Sequence, residues 1–187
     1  MTTEFQRHFG EHLEVMEISM ETLESVAEAS AFAIVTALAA GNKVLTFGNG
    51  GSSAEASHLA EELMGRFRKK RRPFPAISLS SDSGTVTCIS NDFGYESVFE
   101  RQIEAFVQPG DVAIALTTSG KSENVIRGLK AAREHGAVTI ALTGSAGITG
   151  ADVDHVLAVP STDSALIQEI HLMLIHVWCE AVDKAVD

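Results

Sequence analysis

Beyond Gly41, five short apolar runs alternate with segments long enough to be helices, and this alternation narrows the fold more than any other feature. The runs cover residues 43–47, 76–79, 112–116, 138–142 and 155–159. Most are apolar at consecutive positions instead of at every second one, as in strands of a parallel sheet covered on both faces. The segments between them, 53–66, 95–107, 124–135 and 164–186, suit helices. The chain is therefore expected to form an α/β doubly wound sandwich with a five-stranded parallel sheet. No repeat, Pro-rich linker or low-complexity stretch divides it.

Ahead of this region, Phe5, Phe9, Leu13, Met16, Met20, Leu23 and Ala27 recur at spacings of three and four, which marks one stripe of a helix. Residues 31–40 form a second segment, apolar nearly all round, ending at Gly41, a suitable C′ residue. So much apolar helix exceeds what one small domain covers. Residues 1–41 are expected to be an N-terminal helical oligomerisation segment, and residues 42–187 a single globular unit.

The chain has 14 basic and 25 acidic side chains, a formal charge of −11, so its surface as a whole repels nucleic acid and anionic membrane. The two cysteines, Cys88 and Cys179, suggest neither a disulfide framework nor a thiolate metal site and fit a reducing compartment. Charged residues in the first fifteen positions exclude an apolar signal core, and the longest nearly apolar run is half a membrane span. The expectation is a cytoplasmic protein with neither nucleic-acid nor membrane partners.

Two strand ends carry unusual loops. One is Gly48-Asn49-Gly50-Gly51-Ser52-Ser53, the other Thr117-Thr118-Ser119-Gly120-Lys121-Ser122. Glycines let backbone N–H groups approach a ligand, hydroxyls hydrogen-bond to it, and the N-terminus of the following helix favours an anion. Neither loop has Walker or dinucleotide-fingerprint spacing, which disfavours a nucleotide. The plainer reading of 117–122 is an N-cap with turn residues; four hydroxyls in six positions favour a phosphate cradle.

His58 and Glu62 stand at i and i+4, hence on one face of the helix after the first loop. Gln168 and His176, eight apart on the last helix, share a stripe. Taken singly, His58 with Glu62 reads as an intrahelical contact, and His176, among Ile175, Val177 and Trp178, as a core histidine. Together, two imidazoles, a carboxylate and an amide oxygen suit Zn²⁺ or a similar ion, and equally an acid/base pair.

The glycine-serine loop followed by His58-Leu59-Ala60-Glu61-Glu62-Leu63, the Asn91-Asp92-Phe93-Gly94 segment, Thr118-Ser119-Gly120-Lys121-Ser122-Glu123-Asn124-Val125 and Ile167-Gln168-Glu169-Ile170-His171 resemble the phosphoheptose isomerase branch of the sugar isomerase (SIS) domain proteins. The resemblance covers nearly the whole chain. It implies a homotetrameric SIS-type three-layer sandwich that interconverts sedoheptulose 7-phosphate and D-glycero-D-manno-heptose 7-phosphate, the first step of heptose precursor synthesis. It assigns phosphate binding to Ser52, Thr118, Ser119 and Ser122, and sugar hydroxyls to Asn49 and Asp92. It further implies that Gly50 and Gly51 belong to the substrate loop, that His58, Glu62, Gln168 and His176 hold one zinc ion per subunit, and that Glu62 and His176 are base and acid.

Two positions depart from that family. Leu166 stands where a basic residue often precedes Ile-Gln-Glu, and the basic run 66–72 is denser than expected, either a solvated loop or an anion-attracting rim of the site. Two alternatives accompany the isomerase reading: a non-catalytic SIS protein that binds a replication-initiator-type partner, and an isomerase of another sugar phosphate. Retention of all four acid/base and metal positions favours an enzyme.

Overall fold

The computed structural model describes residues 2–185. Thr3 starts the first helix through a capping box: its Oγ1 accepts from the Gln6 N–H and its own N–H donates to Gln6 Oε1, both at 3.1 Å. α1 then runs unbroken over Glu4–Ala39, so the two expected N-terminal helices are one. Nothing between Ala27 and Ala31 breaks a helix, and Ser30, a residue that can compete for backbone groups, returns its hydroxyl to the Val26 carbonyl. A Schellman turn closes α1 at Gly41, which has φ +87° and is followed by Asn42 N–H donating to the Ala37 carbonyl.

The sheet comprises β1 (Val44–Gly48), β2 (Ala76–Ser78), β3 (Val112–Thr117), β4 (Val138–Thr143) and β5 (His155–Ala158). All are parallel, in the order β2-β1-β3-β4-β5. Each expected run holds a strand. The remaining helices are α2 (Gly51–Met64), α3 (Ser83–Phe93), α4 (Val98–Phe106, led by a 3-10 turn Tyr95–Ser97), α5 (Glu123–Glu134) and α6 (Ser164–Ala185). The expected end of the last helix at Val186 lies outside the described residues.

Both faces of the sheet are covered. Val44, Val112, Ile114, Leu116, Ile140 and Leu142 pack toward α1, α2 and α6, while Leu45, Phe47, Ala113, Ala115 and Ala141 pack toward α3, α4 and α5. That two-sided burial is why the strands read as continuous apolar runs. α3 had no counterpart in the sequence reading. Its residues are largely β-branched or polar, it buries only Ile89, and it rests on an Asp82 N-cap that accepts from Gly84 N–H.

Of the apolar stripe on α1, Leu23 and Ala27 are buried in the core and Met16 packs against it, while Phe5, Phe9, Leu13 and Met20 are exposed. The buried line is Val15, Ser19, Leu23, Ala27, Ser30, Ile34, Ala37 and Leu38, and residues 31–40 are not enclosed all round, since Phe32 is 73% exposed. α1 and α6 are each long and apolar enough to cross a bilayer by length and composition, more than the longest unbroken run suggested. They also pack on each other, with the Trp178 indole N–H donating to the Ala27 carbonyl.

Candidate active site

Chain order reverses across the sheet between β1 and β3: β1 leads outward to β2, and β3 leads the other way to β4. Ligands of open α/β sheets bind at the carboxyl ends of strands beside such a switch point. Both unusual loops emerge there, one after β1 and one after β3.

The first loop turns at Gly50, φ +57°, into α2. A Cβ on Gly51 would collide with the Gln168 amide, the movable end of that side chain, so glycine here is what lets the amide lie against the loop. Gln168 Nε2 donates to Ser52 Oγ at 3.4 Å, and Ser52 is buried. Asn49, Ser52, Thr117, Thr118, Ser119, Ser122 and Gln168 border a cavity of about 130 Å³. In part, the turn reading of 117–122 holds: Thr117 Oγ1 accepts from Gly120 N–H and Ser119 Oγ from Lys121 N–H, at 3.2 and 3.3 Å. Ser122, however, is the N-cap of α5 and makes no side-chain cap hydrogen bond. Its hydroxyl therefore borders the cavity without being engaged as a cap.

Farther along α2 and α6, His58, Glu62 and His176 present ligand atoms that all lie within 4.8 Å of one another. His58 Nε2 is 3.2 Å from His176 Nε2 and 3.6 Å from Glu62 Oε1. Two nitrogens each 2.0–2.1 Å from a tetrahedral Zn²⁺ stand about 3.3 Å apart, so the separation of the two ring nitrogens suits that ion. Phe67 stacks on the other side of His176, with centroids 5.4 Å apart and planes 22° apart. His176 is only partly buried, so it is no enclosed core histidine. Gln168, on the same helix as His176, donates to Ser52 in the cradle, and His58, Glu62 and His176 converge.

Asp92 is exposed on α3, with contacts to Asn91 and Cys88, and does not line the cradle cavity itself. Leu166, at the family's basic position, is buried in the core.

Neither reading of the basic run anticipated Arg71. Its side chain is 2% exposed and its Nε donates to Asp183 Oδ1 at 2.8 Å, while the guanidinium also caps the end of α2 by donating to the Glu62 and Leu63 carbonyls. Asp183 Oδ2 accepts from the N–H groups of Arg68 and Lys69, so α6 holds the loop that carries Phe67. Burial raises the Asp183 carboxyl, but these hydrogen bonds outweigh it and leave it below the ordinary range.

Four further residues carry features to which no sequence motif assigned a role. Asn124 and Tyr95 hydrogen-bond to Asn49 across long sequence separations. Glu55 lies on α2 one turn from both Ser52 and His58, with Oε2 buried and unpaired. Burial pushes its carboxyl up to about 8, against a Ser52 hydrogen bond that lowers it. His171 is wholly enclosed, bonded through Nε2 to the Thr143 carbonyl, and burial lowers it to about 4.

The SIS domain family matches residues 7–144. The chain is 57% identical over 154 residues to the phosphoheptose isomerase of Aquifex aeolicus, which covers 82% of this chain and 81% of that protein. With the phosphoheptose isomerase of Geobacter metallireducens it shares 43% over 185 residues, 98% of each. A solved phosphoheptose isomerase from Francisella tularensis superposes with a TM-score of 0.92 at 32% identity, covering 97% of both chains. Fold, motif order and full-length similarity thus agree, and the chain belongs to the phosphoheptose isomerase family of SIS domain proteins.

Proposed function

We propose that this chain interconverts sedoheptulose 7-phosphate and D-glycero-D-manno-heptose 7-phosphate by proton transfer through an enediol. The observation that carries this reading is the pairing, on α2 and α6, of a hydroxyl-lined cradle with the His58, Glu62 and His176 cluster. Ser52, Thr118, Ser119 and Ser122 hold the phosphate, with Gly50 and Gly51 allowing close backbone approach. Asn49 and Asp92 take sugar hydroxyls.

Glu62 removes the proton from the carbon beside the carbonyl, and His176 moves protons between the two oxygens. Phe67, stacked on His176, restricts how that ring turns. His58, Glu62 and His176 would hold one Zn²⁺ per subunit, with Gln168 as the fourth residue assigned to it. When bound, zinc supplies polarisation of the carbonyl and stabilises negative charge on oxygen. A carboxylate that gives its lone pair to an ion is a weaker base, so the two roles of Glu62 compete. The exposed apolar face of α1, from Phe5 to Met20, supports residues 1–41 as the contact segment of a homotetramer. The protein is assigned to the cytoplasm.

Purified protein assayed against five-, six- and seven-carbon ketose phosphates, with and without chelator, tests the reading. Activity should be greatest on the seven-carbon substrate and fall on chelation. Preference for a shorter sugar overturns the substrate assignment. Glu62→Gln and His176→Gln should each lower kcat by roughly 10² to 10⁴ with modest change in KM if they transfer protons. Recovery of these variants on adding zinc would instead assign them to metal holding alone.

A further inference from the structure

We propose that Asn124 and Tyr95 are positioning residues that make Asn49 a pure hydrogen-bond donor toward sugar oxygens, an inference that rests on the sugar-binding role of Asn49 given above. Asn49 Nδ2 donates to Asn124 Oδ1, and Asn124 Nδ2 returns a bond to Asn49 Oδ1, both at 2.9 Å, so the two amides close a ring. Tyr95 Oη donates to Asn49 Oδ1 at 2.7 Å. A primary amide has two acceptor lone pairs and two N–H groups. Asn49 has spent both lone pairs and one N–H on its neighbours, which leaves a single N–H for a ligand.

The sense of this network has a backbone origin. Asn124 is buried, and its Oδ1 also accepts from the Val125 N–H at 3.0 Å. That N–H donates to the Ser122 carbonyl as well, and because it can only donate, an Asn124 NH₂ turned toward it would be repelled; the Asn124 carbonyl therefore faces it and the NH₂ faces Asn49. The Asn49 carbonyl is then turned toward Asn124 and Tyr95. Asn49 stands between two small cavities, of about 110 and 130 Å³, the second of which is the cradle. The remaining N–H serves an oxygen acting as acceptor and offers nothing to a hydroxyl proton. Three segments distant in sequence thus decide the polarity of one contact: the loop after β1, the first turn of α5 and the 3-10 turn ahead of α4.

Steady-state kinetics on the seven-carbon ketose phosphate with Asn49→Ala, Asn124→Asp, their double variant and Tyr95→Phe tests this. Asn124→Asp keeps the side-chain size and places a negative charge in the first turn of α5, where the helix dipole favours it, so the fold should persist. It also sets a carboxylate oxygen against Asn49 Oδ1, a repulsion that turning the amide over would only move to the other oxygen, so the pair opens and Asn49 loses its fixed orientation. KM should rise about ten-fold with kcat within about two-fold, because the contact is equal in ground and transition states. Tyr95→Phe, which touches no buried packing, should raise KM about three-fold and keeps the test decisive should Asn124→Asp unfold.

On the Asn49→Ala background, Asn124→Asp should raise KM clearly less than it does alone, the remainder being repulsion between its charge and the substrate phosphate beside Ser122. An equal rise on both backgrounds overturns the proposal, as does a rise for Asn49→Ala with none for either Asn124→Asp or Tyr95→Phe. An unchanged KM in Asn49→Ala removes the sugar-binding role of Asn49 itself, and the positioning role with it.

Discussion

Replacing Asp183 by Asn should destabilise the protein by about 3–5 kcal/mol, the range for removing one partner of a buried ion pair. Arg71 and Asp183 have side chains only 2% and 5% exposed, 2.8 Å apart. The substitution retains volume but leaves the Arg71 guanidinium buried without a counter-charge. It also weakens two backbone hydrogen bonds, each 2.9 Å long, from Arg68 and Lys69. For a chain of this length that loss corresponds to a fall in Tm of about 10 °C. Urea titration at fixed protein concentration measures it, with Arg71→Met, Asp183→Leu and the double variant completing a cycle. The two single losses should far exceed the double, because the apolar pair removes both charges together. Since the Asp183 carboxyl is held below its usual range, its contribution should be whole above about pH 4 and disappear as pH falls through its folded value. A loss below about 0.5 kcal/mol for Asp183→Asn, the ordinary surface effect, would refute the anchoring of the 66–72 loop on α6.

Ser119→Ala with Ser122→Ala should raise KM for the sugar phosphate at unchanged Tm; if KM does not move in steady-state assays, the 117–122 loop is a helix cap only. Gly51→Ala should raise KM by roughly ten-fold by pushing the Gln168 amide out of the cradle, while circular dichroism shows the fold retained. His171, lowered to about 4 in the folded state, stays neutral there while the unfolded chain protonates near pH 6.5. Stability should therefore fall from about pH 6.5 toward pH 4, by about 3 kcal/mol in all, and urea titrations of a His171→Gln variant over that range should lose this part of the slope.

What was legible in the sequence is what short-range physics writes into it. A parallel strand buried on both faces must be apolar at consecutive positions, so the runs ending at Phe47, Leu116 and Leu142 announced β1, β3 and β4 and placed the two loops at their carboxyl ends. His58 and Glu62 share a face because a helix repeats every 3.6 residues. α3 was invisible because Ser83–Phe93 has little helix propensity and no apolar stripe, and its Asp82 cap and its packing hold it instead. Tertiary structure alone brought His176 to His58 across 118 positions, joined Asn49 to Asn124 across 75, and turned Arg71 from a solvent-facing charge into a buried cap on α2. These pairings follow from strand order and from which helices cover which face. Such an order arises from the competition of many distant contacts for one core, which no local pattern of residues records.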